Sequence, residues 1–154
     1  MHWLVRLAGS LAVLGVSASG AAGILRAQSE ESYRVIVNAA NPVSTLSRGD
    51  ASRLFLKRTL SWKHGGQVVP VDLGQDFQAR QAFSVAVLGK DVPTVKGYWQ
   101  QLIFTGRGVP PVEKSSEAEV VAFVAANRNA IGYVSPAAAA AAAAKGVKVV
   151  TITN

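Results

Sequence analysis

Residues 33–43 read Tyr-Arg-Val-Ile-Val-Asn-Ala-Ala-Asn-Pro-Val, and the fold class turns on them. Three consecutive β-branched residues, Val35, Ile36 and Val37, predict a buried strand, and Asn41-Pro42 stops it. Ser47 then caps a helix, with Asp50 three residues on completing a capping-box-like pair and Ala51, Leu54 and Phe55 forming the apolar stripe. A strand that hands over to a helix, with the same hand-over repeated downstream, is the pattern of α/β layers.

Downstream, Leu56 to Gly66 reads as a loop, and Val68-Val-Pro-Val-Asp72 as a second strand in which Pro70 demands an edge or an irregular position. Asp76 is the expected cap of the next helix, whose Ala79, Ala82, Phe83, Ala86 and Val87 repeat at helical spacing until Gly89. Thr94, after Pro93, is the expected cap of an amphipathic helix carrying Val95, Tyr98, Trp99, Leu102 and Ile103. Ser116-Glu-Ala-Glu119 is a capping box before Val120, Val121, Phe123 and Val124, and Ala130–Val134 is another short strand. Ser135 as cap, Pro136 as first helical residue, eight alanines and Gly146 spell one more helix, and Val147–Ile152 closes the chain as a strand. The order β, α, β, α, α, α, β, α, β predicts a single three-layer-like lobe, with a small mixed or mostly parallel sheet flanked by helices.

Upstream, residues 1–27 have the shape of a secretory signal: one cation, Arg6, then no further charge until Arg26. Small residues place the expected cut between 22 and 27, leaving residues 28–154 as one domain exported to the periplasm or beyond. The alternative is a membrane anchor through residues 7–25, close to the roughly 20 residues a bilayer needs. The 154 residues carry 16 Lys and Arg against 9 Asp and Glu, a net +7; a cut after Ala27 removes Arg6 and Arg26 and leaves +5. These charges are dispersed, and the densest pair is Lys57-Arg58, so no nucleic-acid partner is expected.

With no cysteine and two histidines, His2 and His64, thiolate chemistry, Cys-ligated zinc and multi-His metal sites are excluded. Phosphate-loop, nucleophile-elbow and zinc-helix motifs are absent, and Gly106-Arg-Gly108 lacks the third glycine and the helix of a dinucleotide site. An enzyme would have to be assembled from Asp72, Asp76, Arg80 and His64; no catalytic residue, metal or cofactor is expected.

Val35-Ile-Val-Asn-Ala-Ala-Asn-Pro-Val43, Leu46-Ser47, Leu54-Phe55, Lys57-Arg-Thr-Leu-Ser-Trp62, Gly66, Val69-Pro-Val71 and Ala130-Ile-Gly-Tyr-Val134 together resemble the phosphate-binding periplasmic subunits of ABC transporters. That resemblance implies a periplasmic binding-protein lobe that recognises a small, phosphate-like anion and works with an ABC permease or another periplasmic or membrane protein. The family's proteins close two lobes on the ligand, whereas residues 28–154 suffice for one. The family also places an arginine, then Ser-Gly-Thr opening a helix, after the Pro-Val strand. Here the matching stretch is Asp72-Leu-Gly-Gln-Asp76-Phe-Gln78, so that Asp72 stands near the arginine's place and Asp76 near the serine's.

The candidate ligand-binding residues are therefore Ser44, Thr45, Asp72, Gln75, Asp76 and Arg80. An Asp76 carboxylate at the helix start would do within the chain what a phosphate does, and Arg80 would pair with it at i, i+4. Trp62, Tyr98 and Trp99 are either an apolar ligand wall or core. The rival reading is a single-lobe interaction or sensory module that has lost phosphate binding.

Overall fold

The computed structural model describes residues 32–154; the expected signal at 1–27, its cut and the anchor alternative lie outside them. Six strands and five α-helices follow one another: β1 (Arg34–Asn38), β2 (Thr45–Ser47), α1 (Arg48–Phe55), β3 (Val69–Leu73), α2 (Gln78–Phe83), α3 (Val92–Phe104), β4 (Val112–Lys114), α4 (Glu117–Ala126), β5 (Ala130–Val134), α5 (Pro136–Ala142) and β6 (Val147–Thr153). A π-helical turn, Ser84–Leu88, extends α2 and ends at Gly89, which takes the left-handed conformation.

The strands form one mixed sheet in the order β2-β6-β1-β5-β3-β4. β1 runs antiparallel to both β5 and β6, while β3 pairs in parallel with β4 and β5, and β2 in parallel with β6. β1 and β5 at the centre are the β-branched runs, and Val35, Ile36, Val37, Ile131 and Val134 are fully or almost fully buried. The sheet is thus the expected small mixed α/β layer.

β2 and β4 were not foreseen; each spans three residues and sits at a sheet edge. Pro70 lies inside β3, yet β5 pairs with Val69 and Pro70 whereas β4 pairs from Val71 onward, so the missing N–H falls where the strand has one neighbour.

One face of the sheet is covered by α4. Gly132 of β5 lets it approach: a Cβ there would stand 2.7 Å from Val71 Cγ1 and 2.9 Å from Val120 Cγ1. On the opposite face the rings of Tyr133 and Phe83 stack at 3.9 Å and 8°, with Phe55 tilted against Tyr133 at 5.7 Å. α1, α2 and the π-helical turn close this second face.

The helix starts obey cap chemistry with two corrections. Ser47, Ser116 and Ser135 accept from the amides of Asp50, Glu119 and Ala138, as expected. Thr94 is not a cap: Asp91 accepts from its amide at 2.9 Å, and Pro93 sits in the first helical turn, where a proline costs no hydrogen bond. Nor does Asp76 cap α2. The N-cap is Phe77, with no side-chain cap bond, because a turn closed by the Phe77 amide on the Gly74 carbonyl (3.3 Å) holds Asp76 outside the helix.

Candidate functional site

Asp72 is the fourth residue of β3 and faces α2 from under the sheet's edge. It is 7% exposed, an unusual place for a carboxylate unless it is paired. Three donors converge on its Oδ1: Arg80 Nη1 of α2, the Tyr133 hydroxyl of β5, and the backbone N–H of Leu73 at 3.1 Å. The cluster is closed on itself, since the Tyr133 oxygen also accepts from Arg80 Nη1 at 3.0 Å and from the Leu73 amide at 3.3 Å. The stacked Phe83 ring fixes the direction of the Tyr133 hydroxyl.

Arg80 is 5% exposed and bonds through Nη1; its buried Nε–H has no hydrogen-bond partner in the protein. The expected pair of Arg80 with Asp76 is therefore replaced by the pair with Asp72. An i, i+4 rule for isolated helices cannot register a carboxylate arriving from a neighbouring strand.

Burial holds the Asp72 carboxyl above its ordinary value of 3.8, against the pull of Arg80, Tyr133 and the Leu73 amide. Burial and the adjacent Asp72 push the Tyr133 hydroxyl well above 10.0, so it is a donor throughout the physiological range. Burial opposes charge on Arg80, but its Tyr133 and Asp72 neighbours outweigh this and raise its basicity. In chemical terms three donors and one carboxylate oxygen make an anion seat, and the anion in it is the chain's own side chain.

Above this cluster opens a cleft of about 620 Å³ that brings together four of the expected residues, Asp72, Gln75, Asp76 and Arg80, with Lys96 and Glu113. Its three carboxylates, Asp72, Asp76 and Glu113, outnumber its two cations, Arg80 and Lys96. Each close carboxylate–phosphate pair costs about 4 kcal/mol at an intermediate dielectric. Glu113 was not anticipated, because it reaches the cleft from β4, a strand too short to leave a sequence pattern.

Ser44 and Thr45 are elsewhere. Thr45 begins β2, at the opposite edge of the sheet from β4. β2 and β3 are separated by β6, β1 and β5, about 19 Å at roughly 4.8 Å per strand, so one small anion cannot touch both Thr45 and Asp72. Thr45 lines a separate hollow of about 300 Å³ with Ser47, Asp50 and Lys63. The aromatic residues divide similarly. Trp62 is 4% exposed and donates from Nε1 to the Asn129 carbonyl at 3.0 Å; it packs in the core and borders the Thr45 hollow. Trp99 is buried yet borders the cleft, and Tyr98 is half-buried with its hydroxyl donating to the Leu56 carbonyl at 3.2 Å. His64 stacks on Trp62 and does not line the Asp72 cleft, so no acid–base pair with Asp72 or Asp76 is assembled.

No family model matches the chain, and no curated protein matches it. Solved structures do. An ABC-type phosphate transport receptor from Vibrio cholerae superposes with a TM-score of 0.58 at 18% identity, over 79% of this chain and 46% of its own. A putative phosphate ABC transporter substrate-binding protein with bound phosphate from Clostridium perfringens gives 0.57 at 21% identity, over 79% and 44%. A possible phosphate binding protein from Planctomyces limnophilus DSM 3776 gives 0.61 at 15% identity, over 80% and 42%. The chain thus spans less than half the length of these structures, and its α/β fold is that of a single lobe of phosphate ABC transporter substrate-binding proteins.

Proposed function

We propose that this chain is an exported, non-catalytic recognition lobe of the periplasmic binding-protein type that has lost phosphate binding and serves as a protein-interaction or sensory module. One observation carries the reading: the Asp72 carboxylate sits on Arg80, Tyr133 and the Leu73 amide, the donors an incoming anion would need. A phosphate would have to displace a carboxylate that is already desolvated and held by three bonds, and would then face Asp76 and Glu113 across the cleft. The six-residue α2, without a side-chain cap and with the Phe77 amide already bonded to Gly74, adds little to attract an anion. Export is supported by the signal-like residues 1–27 and by the likeness in fold to substrate-binding proteins of phosphate ABC transporters; among the described residues no helix is long and apolar enough to cross a membrane. A partner in the periplasm or the membrane, such as an ABC permease, fits this setting.

The small-anion reading remains the competitor, and calorimetric titration of the protein with phosphate and with sulfate separates the two. No heat at millimolar ligand is expected. Saturable heat with phosphate would overturn the loss of binding and restore the transport-type role.

A further inference from the structure

A second concavity, on a neighbouring face of α3 and sharing Trp99 with the Asp72 cleft, has the opposite charge character. It is a groove of about 590 Å³ between the chain just past α1, the approach to β3, α3 and the segment leading into β4. Lys57 and Arg107 line it and no carboxylate does. Arg58 lies over the Tyr98 ring beside it at 5.7 Å. Its rim is apolar and uncovered: Val109 is 64% exposed, Leu60 56% and Val112 51%. Val112 belongs to β4, an edge strand of the sheet.

Lys57 adds an independent sign. Among the described residues it is the one non-glycine with a left-handed backbone, φ 51°, directly after the helix where a glycine is the unstrained choice. The Lys57 ammonium donates to the carbonyl of Pro110, next to Val109 on the groove's border, at 3.2 Å. The chain thus keeps a cation in the groove at a position where the backbone favours having no side chain at all.

From this charge complementarity we propose that the groove docks an acidic peptide segment of a partner protein, with carboxylates on Lys57 and Arg107 and aliphatic side chains on Leu60, Val109 and Val112. The proposal rests on the reading of the chain as a protein-recognition lobe and names the chemistry of the partner. Opposite charges give such a contact its specificity and the apolar rim gives it burial.

The test is fluorescence anisotropy of the full chain with a short fluorescein-labelled peptide of alternating glutamate and leucine, beside a counterpart with lysine for glutamate. Saturable binding of the glutamate peptide is expected, with the lysine peptide weaker by roughly tenfold or more, since it sets like charges against Lys57 and Arg107. Lys57→Gly, which suits the left-handed backbone and so leaves the fold intact, and Arg107→Glu are each expected to weaken binding by about the same factor. Equal binding of the two peptides, no binding of the glutamate peptide, or indifference to both substitutions overturns the proposal. So does attachment to phosphatidylglycerol vesicles without peptide binding, which would assign the basic groove to a membrane. Failure here leaves the phosphate titration silent and the closed anion seat standing; heat with phosphate would instead remove the reading beneath it.

Discussion

Replacing Asp72 by leucine leaves the Arg80 guanidinium buried with the neutral Tyr133 oxygen as its side-chain hydrogen-bond partner. The Asp72 and Arg80 side chains are 10% and 6% exposed, so solvent screening offers little relief. Truncating one member of a buried pair costs about 3–5 kcal/mol, chiefly because the survivor's charge is stranded. Arg80→Met strands the carboxylate instead and is expected to cost a similar amount. The double variant, Asp72→Leu with Arg80→Met, strands nothing and fills the space with apolar atoms, so its stability should return to within about 1–2 kcal/mol of the parent. Urea unfolding followed by tryptophan fluorescence measures all four corners of this cycle, with unchanged m-values as the check that one transition is being compared. Single substitutions costing less than about 1 kcal/mol, as an exposed pair would, or a double variant that simply sums the singles, would refute the picture of a sealed ion pair.

Three further outcomes are expected. Gly132→Ala puts a methyl within 3 Å of both Val71 and Val120, and urea unfolding should register a loss of about 1–3 kcal/mol from overpacking; an unchanged midpoint would mean that α4 can shift outward freely. Lys57→Gly should raise stability by roughly 0.5–1 kcal/mol, as a left-handed penalty of about 1–2 kcal/mol is relieved against the greater freedom of unfolded glycine; a loss in thermal unfolding would show the φ of 51° to be unstrained. The acid limb should come partly from Asp50, whose carboxyl is held below its ordinary 3.8 by the Ser47 hydroxyl, Arg53 and Lys63. A lowered folded-state value stabilises above the unfolded value and is lost as pH falls through the folded one, so the gap between parent and Asp50→Asn should close as pH falls from above 3.8 to below it. Asp72, held above 3.8, contributes with the opposite sign and loses its share as pH rises.

The local signals in the sequence were the dependable ones. Three serine caps read correctly because a cap is a contact over three residues, complete within the motif itself. The central strands β1 and β5 read correctly because burial on both faces writes a continuous apolar run. β2 and β4 left no trace, since a three-residue strand cannot display a period and exists through its pairing with β6 and β3. The candidate site was half legible. Asp72, Gln75, Asp76 and Arg80 do share a cleft, but their wiring is tertiary: Arg80 turns from the carboxylate four residues away to one eight residues away across a turn, because Tyr133 of β5 completes the cluster there. Trp62 sat in a loop by sequence and proves to be core, its indole drawn to the Asn129 carbonyl by a contact no local pattern contains.

The occupancy of the anion seat by Asp72 is tested most directly by titrating phosphate into the parent protein and into Asp72→Ala side by side, following heat and the urea midpoint. The parent should give no heat and no shift. Phosphate should bind the variant, where Arg80 and Tyr133 have lost their carboxylate, and should raise its stability by about 2.7 kcal/mol at a hundredfold excess over the dissociation constant. Phosphate binding to the parent, or a variant as indifferent to phosphate as the parent, would contradict the assignment.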